Sequence, residues 1–465
     1  MKAGGQNGIN FGTDHVFRIL LRLAPPVMLA QLIQALYNIV DSYFVGRYSD
    51  TGLTALSIIY PLQLLMIALA VGTGVGINTL MAHFMGVGEP EKSRETAGTG
   101  ALLAFVMWVL FAGVCWCIMP GYARMSTDSP AVAQDVVTYG RIVCVCSFGL
   151  FFESIWTKVL QAGGAMKLPM AAQIVGALVN IVLDPILIFG IGPVPELGIA
   201  GAAIATVLGQ FAAACIVMPR GFRKSPPLSA YRRYVPRIYQ VGFPNILMQT
   251  AYTFYILGLN LILKGFSDQA VTALGLYYKW QTFFFIPLGA MQTCIVPVLS
   301  YNFGAGLYAR CRRTLRDAVL MGLALMALGT ISFALFPEQL LAVFTQDLQV
   351  IRIGSYGFRV IGVSFLPMVL SLIFPVFFQA IGAPVRSSLL TVLRTVVLFV
   401  PLGWLLSRFG PHAFWFTFPL TELVTPDVGM LFYRQWRRKL PACLFCLQIG
   451  SKRCIISRCV SVWYT

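Results

Sequence analysis

Charge is scarce in this chain, and acid is scarcest. Its 465 residues include 17 Asp and Glu, 34 Lys and Arg and three His; charged residues make up 11% and hydrophobic ones 58%, with a mean hydropathy of +0.77. A soluble domain spends about 25% of its residues on charge, so water cannot be the medium for most of this surface. The three histidines, His15, His83 and His412, stand far apart, and no His-Glu-x-x-His helix occurs. Also missing are a Gly-x-x-x-x-Gly-Lys-Ser/Thr phosphate loop and a Gly-x-Ser-x-Gly nucleophile elbow, which removes the usual footholds for ATP-driven or serine-hydrolase chemistry. No short apolar segment ends in a small-residue cleavage site near the N-terminus, so no removable signal peptide is expected and the first helix serves as the insertion signal.

What the chain has in abundance is apolar sequence. A bilayer-spanning helix needs about 20 such residues, and the runs separate into about twelve, from Val16 to Gly46 for the first to His412 to Trp436 for the last. The expected fold is therefore an all-α polytopic membrane protein. The net charge of +17 invites a nucleic-acid reading, but the basic residues sit in alternate loops. Arg220, Arg223, Lys224, Arg232, Arg233 and Arg237 form one group; Arg310, Arg312, Arg313 and Arg316 a second; Arg434, Arg437, Arg438 and Lys439 a third. That is the positive-inside pattern; it places both termini in the cytoplasm and leaves no role for nucleic acid.

The chain also matches itself. A shift of about 218 residues pairs Pro26 with Pro244, Gln31 with Gln249, Tyr37 with Tyr255 and Ser49-Asp50 with Ser267-Asp268 without a gap. The same register pairs Tyr60 with Tyr278, Gln161-Ala162 with Gln379-Ala380 and Gly192-Pro193 with Gly410-Pro411. Six spans per half is an even number, so both halves start from the same side, as parallel repeats about an axis along the membrane normal do. The expected division is an N-terminal six-helix bundle over 1–219, a basic cytoplasmic linker over 220–238 and a C-terminal bundle over 239–440. Two such bundles around a cleft are the layout of an alternating-access carrier.

Within the first apolar run, Gln31, Gln34, Asn38 and Asp41 are spaced three, four and three residues apart. On a helix they form one polar stripe ending in a carboxylate. An acid at membrane depth costs at least about 2.5 kcal/mol and normally faces a bundle interior or wet cavity, which makes Asp41 the first functional candidate. Pro25-Pro26 lies upstream, where a proline removes a backbone hydrogen bond and permits a kink, so Pro26 is the candidate hinge. Asn180 and Asp184 lie one turn apart and leave the same helix face. Two carboxylates and an amide facing one interior make an oxygen-lined cation site. The structural alternatives are an interhelical hydrogen bond for Asn180 and satisfaction of freed backbone groups beside Pro185 for Asp184. In the second half Leu259 stands where the first has Asp41. Glu422 is the deep acid there, read as a buried charge pair with Lys279 and Arg394.

Several segments in order resemble one family. They are Ala24-Pro25-Pro26 with Asp41 to Arg47, Leu160 to Gly164, Asn180 to Pro185, Gly198 to Thr206, Tyr301 to Ala305, and Pro419 to Glu422. From about Ile19 to Arg438 the chain resembles the multidrug and toxic compound extrusion (MATE) family, and within it the DinF-like branch. The resemblance implies secondary active export of amphipathic, often cationic, drugs and toxic compounds by antiport with sodium ions or protons, without a cofactor, by a monomer in a bacterial-type inner (plasma) membrane. It implies that Asp41, Asn180 and Asp184 bind the coupling ion, with Thr206 a fourth member. Gln34, Tyr37, Asn38, Tyr139, Gln161, Lys279 and Glu422 are the further candidates for lining the cavity. A lipid-linked glycan flippase of related architecture is the alternative, though its cationic cavity contrasts with the carboxylates here; an intramembrane enzyme is a more distant one.

The last stretch, 441–465, departs from the pattern. It holds Cys443, Cys446, Cys454 and Cys459 and no acid, and is expected to be a disordered tail rather than a metal site. The other cysteines fall in apolar spans and read as small packing residues.

Overall fold

The computed structural model describes residues 9–190 and 192–448, and among these the secondary structure is helical. The long helices are α1 (Val16–Tyr48), α2 (Asp50–Val87), α3 (Pro90–Ser126), α4 (Pro130–Ala162), α5 (Lys167–Phe189), α6 (Ile199–Gly221), α7 (Leu228–Lys264), α8 (Asp268–Gly304), α9 (Tyr308–Leu335), α10 (Leu348–Ala380) and α11 (Pro384–Ser407), followed by α12 (Thr417–Gln448). The first eleven are long and apolar enough to cross a bilayer. The twelfth is diluted by Glu422, Asp427 and three prolines. The fold is that of a polytopic membrane protein of two six-helix bundles.

The internal duplication is written in the helix ends. Ser49 accepts a hydrogen bond from the Gly52 amide at 3.2 Å and starts α2, and Ser267 accepts one from the Ala270 amide at 3.2 Å and starts α8. Each is followed by an acid in the first turn, Asp50 or Asp268, where the helix dipole favours it. The left-handed glycines repeat as well. Gly88 and Gly306 have φ of 83° and 71°, and Gly164 and Gly382 have 80° and 76°. An L side chain is disfavoured there, so these positions preserve the turn geometry of both halves.

By contacts the chain divides into Met1–Thr253 and Phe254–Thr465, later than the 220–238 stretch expected to be a linker. The reason is that α7 begins at Leu228 and its first turns belong to the first unit. Tyr234 donates to Glu95 at 2.6 Å, and a Cβ on Gly76 would come within 2.2 Å of the Ile238 carbonyl. The first unit packs Ile59, Ile77, Phe111, Met119, Phe151 and Ile155 into its core. The second is aromatic at its centre, with Phe333 stacked on Phe358 at 4.5 Å and Tyr255 on Phe399 at 4.6 Å. Large apolar side chains such as Leu110, Phe254, Leu261 and Leu328 are exposed, as lipid-facing positions require. Helix α12 runs past Pro441 to Gln448; the rest of the Cys-rich tail lies outside the described residues.

Two helices depart from regular geometry. Helix α4 is broken at Cys146 and Ser147, between segments Pro130–Val145 and Phe148–Ala162. Helix α11 contains a π-helical stretch, Leu393–Phe399. By contrast α1 runs as one helix through Pro25 and Pro26.

Candidate functional site

Helix α1 packs against α5, and α5 against α6. The second contact is unusually close because glycine faces glycine: a Cβ on Gly176 would stand 2.7 Å from the Gly209 carbonyl, and one on Gly209 2.6 Å from the Gly176 carbonyl. Small residues are what allow helix backbones to approach in a bilayer. One turn along α5 from this crossing, Asn180 reaches across to α6, and its Nδ2 donates to Thr206 Oγ1 at 3.4 Å. The same nitrogen donates to Asp184 Oδ1 at 3.2 Å. Asp41, on α1, lies within coulombic reach of Asp184, and of Tyr37 and Tyr139.

All four of Asp41, Asn180, Asp184 and Thr206 are buried, none more than 8% exposed. Three of their oxygens, Asp41 Oδ1, Asn180 Oδ1 and Asp184 Oδ2, are buried without a hydrogen-bond partner. Buried acceptors are nearly always satisfied, because leaving one bare costs about 1–3 kcal/mol and more when it is charged. Two buried carboxylates within coulombic reach of one another call for a counter-charge, a proton or a cation, and the donor set is all oxygen, as hard cations prefer.

Around this group stands a hydroxyl and amide fringe. Gln63 on α2 donates to the Tyr139 hydroxyl at 3.5 Å, Tyr139 lies near Thr206, and Tyr60 is within coulombic reach of Tyr37. Neither Gln63 nor Tyr60 was among the site candidates read from the sequence. Their signal was an amide in the middle of the apolar run of α2, beside Pro61.

The other expected residues are placed differently. Gln34 and Asn38 are exposed, while Gln31 and Tyr37 are half-buried, so the polar stripe does not share one environment. Burial along α1 is decided by which turns its neighbours cover. Gln161 is buried but accepts from Lys158 Nζ at 3.0 Å, in a separate cluster. Glu422 is fully buried and held by Arg394, whose Nε donates to its two oxygens at 3.0 and 3.3 Å. Lys279, grouped with that pair from sequence, is exposed instead, its Nζ 5.1 Å from the centre of the Phe344 ring. Pro26 lies inside α1 and lines a cavity at the start of that helix.

A duplicated bundle of apolar helices, with a buried cluster of oxygen-bearing side chains in its first half, is the architecture of a membrane transporter. A family model, MatE, matches residues 26–186 and again 244–405, one match per half, and the chain belongs to the MatE family. Among its relatives, an FAD transporter of Shewanella oneidensis is 24% identical over 418 residues, 88% of this chain and 92% of that protein. The multidrug export protein MepA of Staphylococcus saprophyticus is 22% identical over 438 residues, 92% of this chain and 96% of that one. The fold is also that of a MATE crystallised in complex with MaD5, with a TM-score of 0.87 at 22% identity over 94% of this chain and 100% of that one.

Proposed function

We propose that this chain is a secondary active exporter of amphipathic small molecules, driven by inward movement of a cation, sodium ion or proton, through Asp41, Asp184 and Asn180 with Thr206 beside them. The observation that carries this reading is the convergence of acids from α1 and α5 with three buried, unpartnered oxygens. Such a group is unstable bare and comfortable when charged with a cation, so its occupancy differs between conformations that expose it and those that do not. Linkage does the rest: whatever the cation favours, the drug must oppose, and each shifts the other's affinity by the same factor. The bend that transmits this is in α1, where Pro25 and Pro26 leave two carbonyls without helical donors. The existence of a MATE in the bent conformation and of one in the straight conformation supports a helix rearrangement here too.

One charge crossing about 100 mV yields about 2.3 kcal/mol, so two sustain a concentration ratio on the order of a thousand. The basic loops face the cytoplasm of a plasma membrane in this reading, and the monomer is the working unit. The test is efflux of a fluorescent organic cation from liposomes carrying purified protein, under separately imposed sodium and pH gradients. Asp41→Asn abolishes gradient-dependent efflux; undiminished efflux removes the acid from the mechanism. A second reading, export of a flavin dinucleotide, is favoured by the Shewanella relative, and FAD in place of the dye in the same liposomes separates the two.

A further inference from the structure

A cavity of about 320 Å³ lies where α1 starts, and Arg22 and Lys167 are the charged residues that line it. Its apolar wall is Ile9, Leu23 and Met166. The segment ahead of α1 closes one side: Ile9 and Phe11 are buried, and a Cβ on Gly164 would come within 3.1 Å of the Phe11 ring. Neither Arg22 nor Lys167 takes part in an ion pair among the described residues. Lys167 is also the first residue of α5, which begins with no side-chain cap and no acid in its first turn. The leading amides of such a helix and its dipole both favour an anion.

Arg22 and Lys167 are both exposed; two cations without an ion pair and an uncapped helix start beside an apolar wall favour a ligand that is negative at one end and apolar next to it. Arginine and lysine both take phosphate oxygens in charge-assisted hydrogen bonds. At about 30 Å³ of liquid volume per water, the cavity has room for more than an inorganic anion. We propose that this cavity binds the phosphate of an organic phosphate ester, supplied by an anionic phospholipid headgroup or by a soluble ester. A choline headgroup is excluded by the cation it would bring next to Arg22 and Lys167. Pro26 lines the same cavity, so the occupant bears on α1 and α5, the helices that carry Asp41 and Asp184. Any effect on transport rests on the exporter reading; the binding does not.

The experiment uses the full chain in phosphatidylcholine nanodiscs with and without phosphatidylglycerol, with retained lipid counted by native mass spectrometry. A parallel titration of the detergent-solubilised protein with glycerol phosphate is followed by thermal shift. Phosphatidylglycerol retention, or saturable binding of glycerol phosphate, is the expected result and identifies the source. Arg22→Gln and Lys167→Gln each weaken it about tenfold, or about 1.4 kcal/mol, whereas Arg22→Lys and Lys167→Arg retain it and decide the matter should the glutamine variants fail to fold. Arg313→Gln, in the first turns of α9, leaves it unchanged. Binding of neither probe, or equal weakening by Arg313→Gln, overturns the proposal. Because no transport is measured, failure here leaves the exporter reading untouched, and the reverse also holds.

Discussion

Removing the carboxylate of Glu422 should be among the most damaging single changes in the second unit. Arg394 is held by Glu422 through three hydrogen bonds, two from Nε at 3.0 and 3.3 Å and one from Nη2 at 2.5 Å, their side chains are 8% and 0% exposed, and the guanidinium stands 5.1 Å from the centre of the Phe399 ring. In Glu422→Gln the shape survives but the guanidinium is left buried without its counter-charge. Breaking a buried pair from one side costs about 3–5 kcal/mol. A retained amide oxygen keeps the loss near the lower end, and at about 2–4 °C per kcal/mol for a unit of this size the melting temperature falls by about 6–12 °C. The double variant Arg394→Leu with Glu422→Leu removes the charge and the need for it together, and by the same reasoning costs less than the single one. Thermal unfolding in detergent, followed by intrinsic fluorescence, measures both. A single variant within about 1 °C of the unmodified protein, or a double variant worse than either single one, refutes the assignment of the pair as a stabilising clamp.

Asp184→Asn keeps the hydrogen bond with Asn180 and loses the charge, so gradient-driven efflux in liposomes falls at least about tenfold, equivalent to about 1.4 kcal/mol, while the melting temperature holds or rises. Gly209→Ala places a methyl 2.6 Å from the Gly176 carbonyl; the overpacking costs about 1–3 kcal/mol, and parting α5 from α6 lengthens the 3.4 Å contact between Asn180 and Thr206. Efflux and melting temperature both fall, whereas Gly113→Ala, with nothing within 4 Å of its Cβ, is silent in the same assays. Ser49→Ala and Ser267→Ala each remove a helix cap and cost about 0.5–2 kcal/mol; a melting temperature unchanged in both denies the caps their role in the repeated architecture.

How much of this was legible without coordinates depends on whether the demand on a residue is local. A left-handed turn asks for glycine whatever surrounds it, and a helix start asks for serine followed by acid, so Gly88 and Gly306, Gly164 and Gly382, and Ser49 and Ser267 carried the duplication in plain view. The spacing of Asn180 and Asp184 likewise showed that they share a face, because helical pitch is a property of one segment. What pitch does not contain is the neighbour. Gly176 and Gly209 look like any glycines in apolar runs, yet their mutual approach is what brings Asn180 within 3.4 Å of Thr206. Lys279 and Arg394 were equal suitors for Glu422 by charge; the π-helical stretch that holds Arg394 and the exposed position of Lys279 come only from packing. The polar stripe of α1 divides for the same reason, since Gln34 and Asn38 are exposed while Asp41 is buried, a difference that helical spacing alone does not contain. A membrane protein adds one further difficulty: apolar side chains are wanted both inside the bundle and against lipid, so hydrophobicity cannot say which face is in. Only a rare polar atom can, and the acids of α1 and α5 are informative because so few others are present.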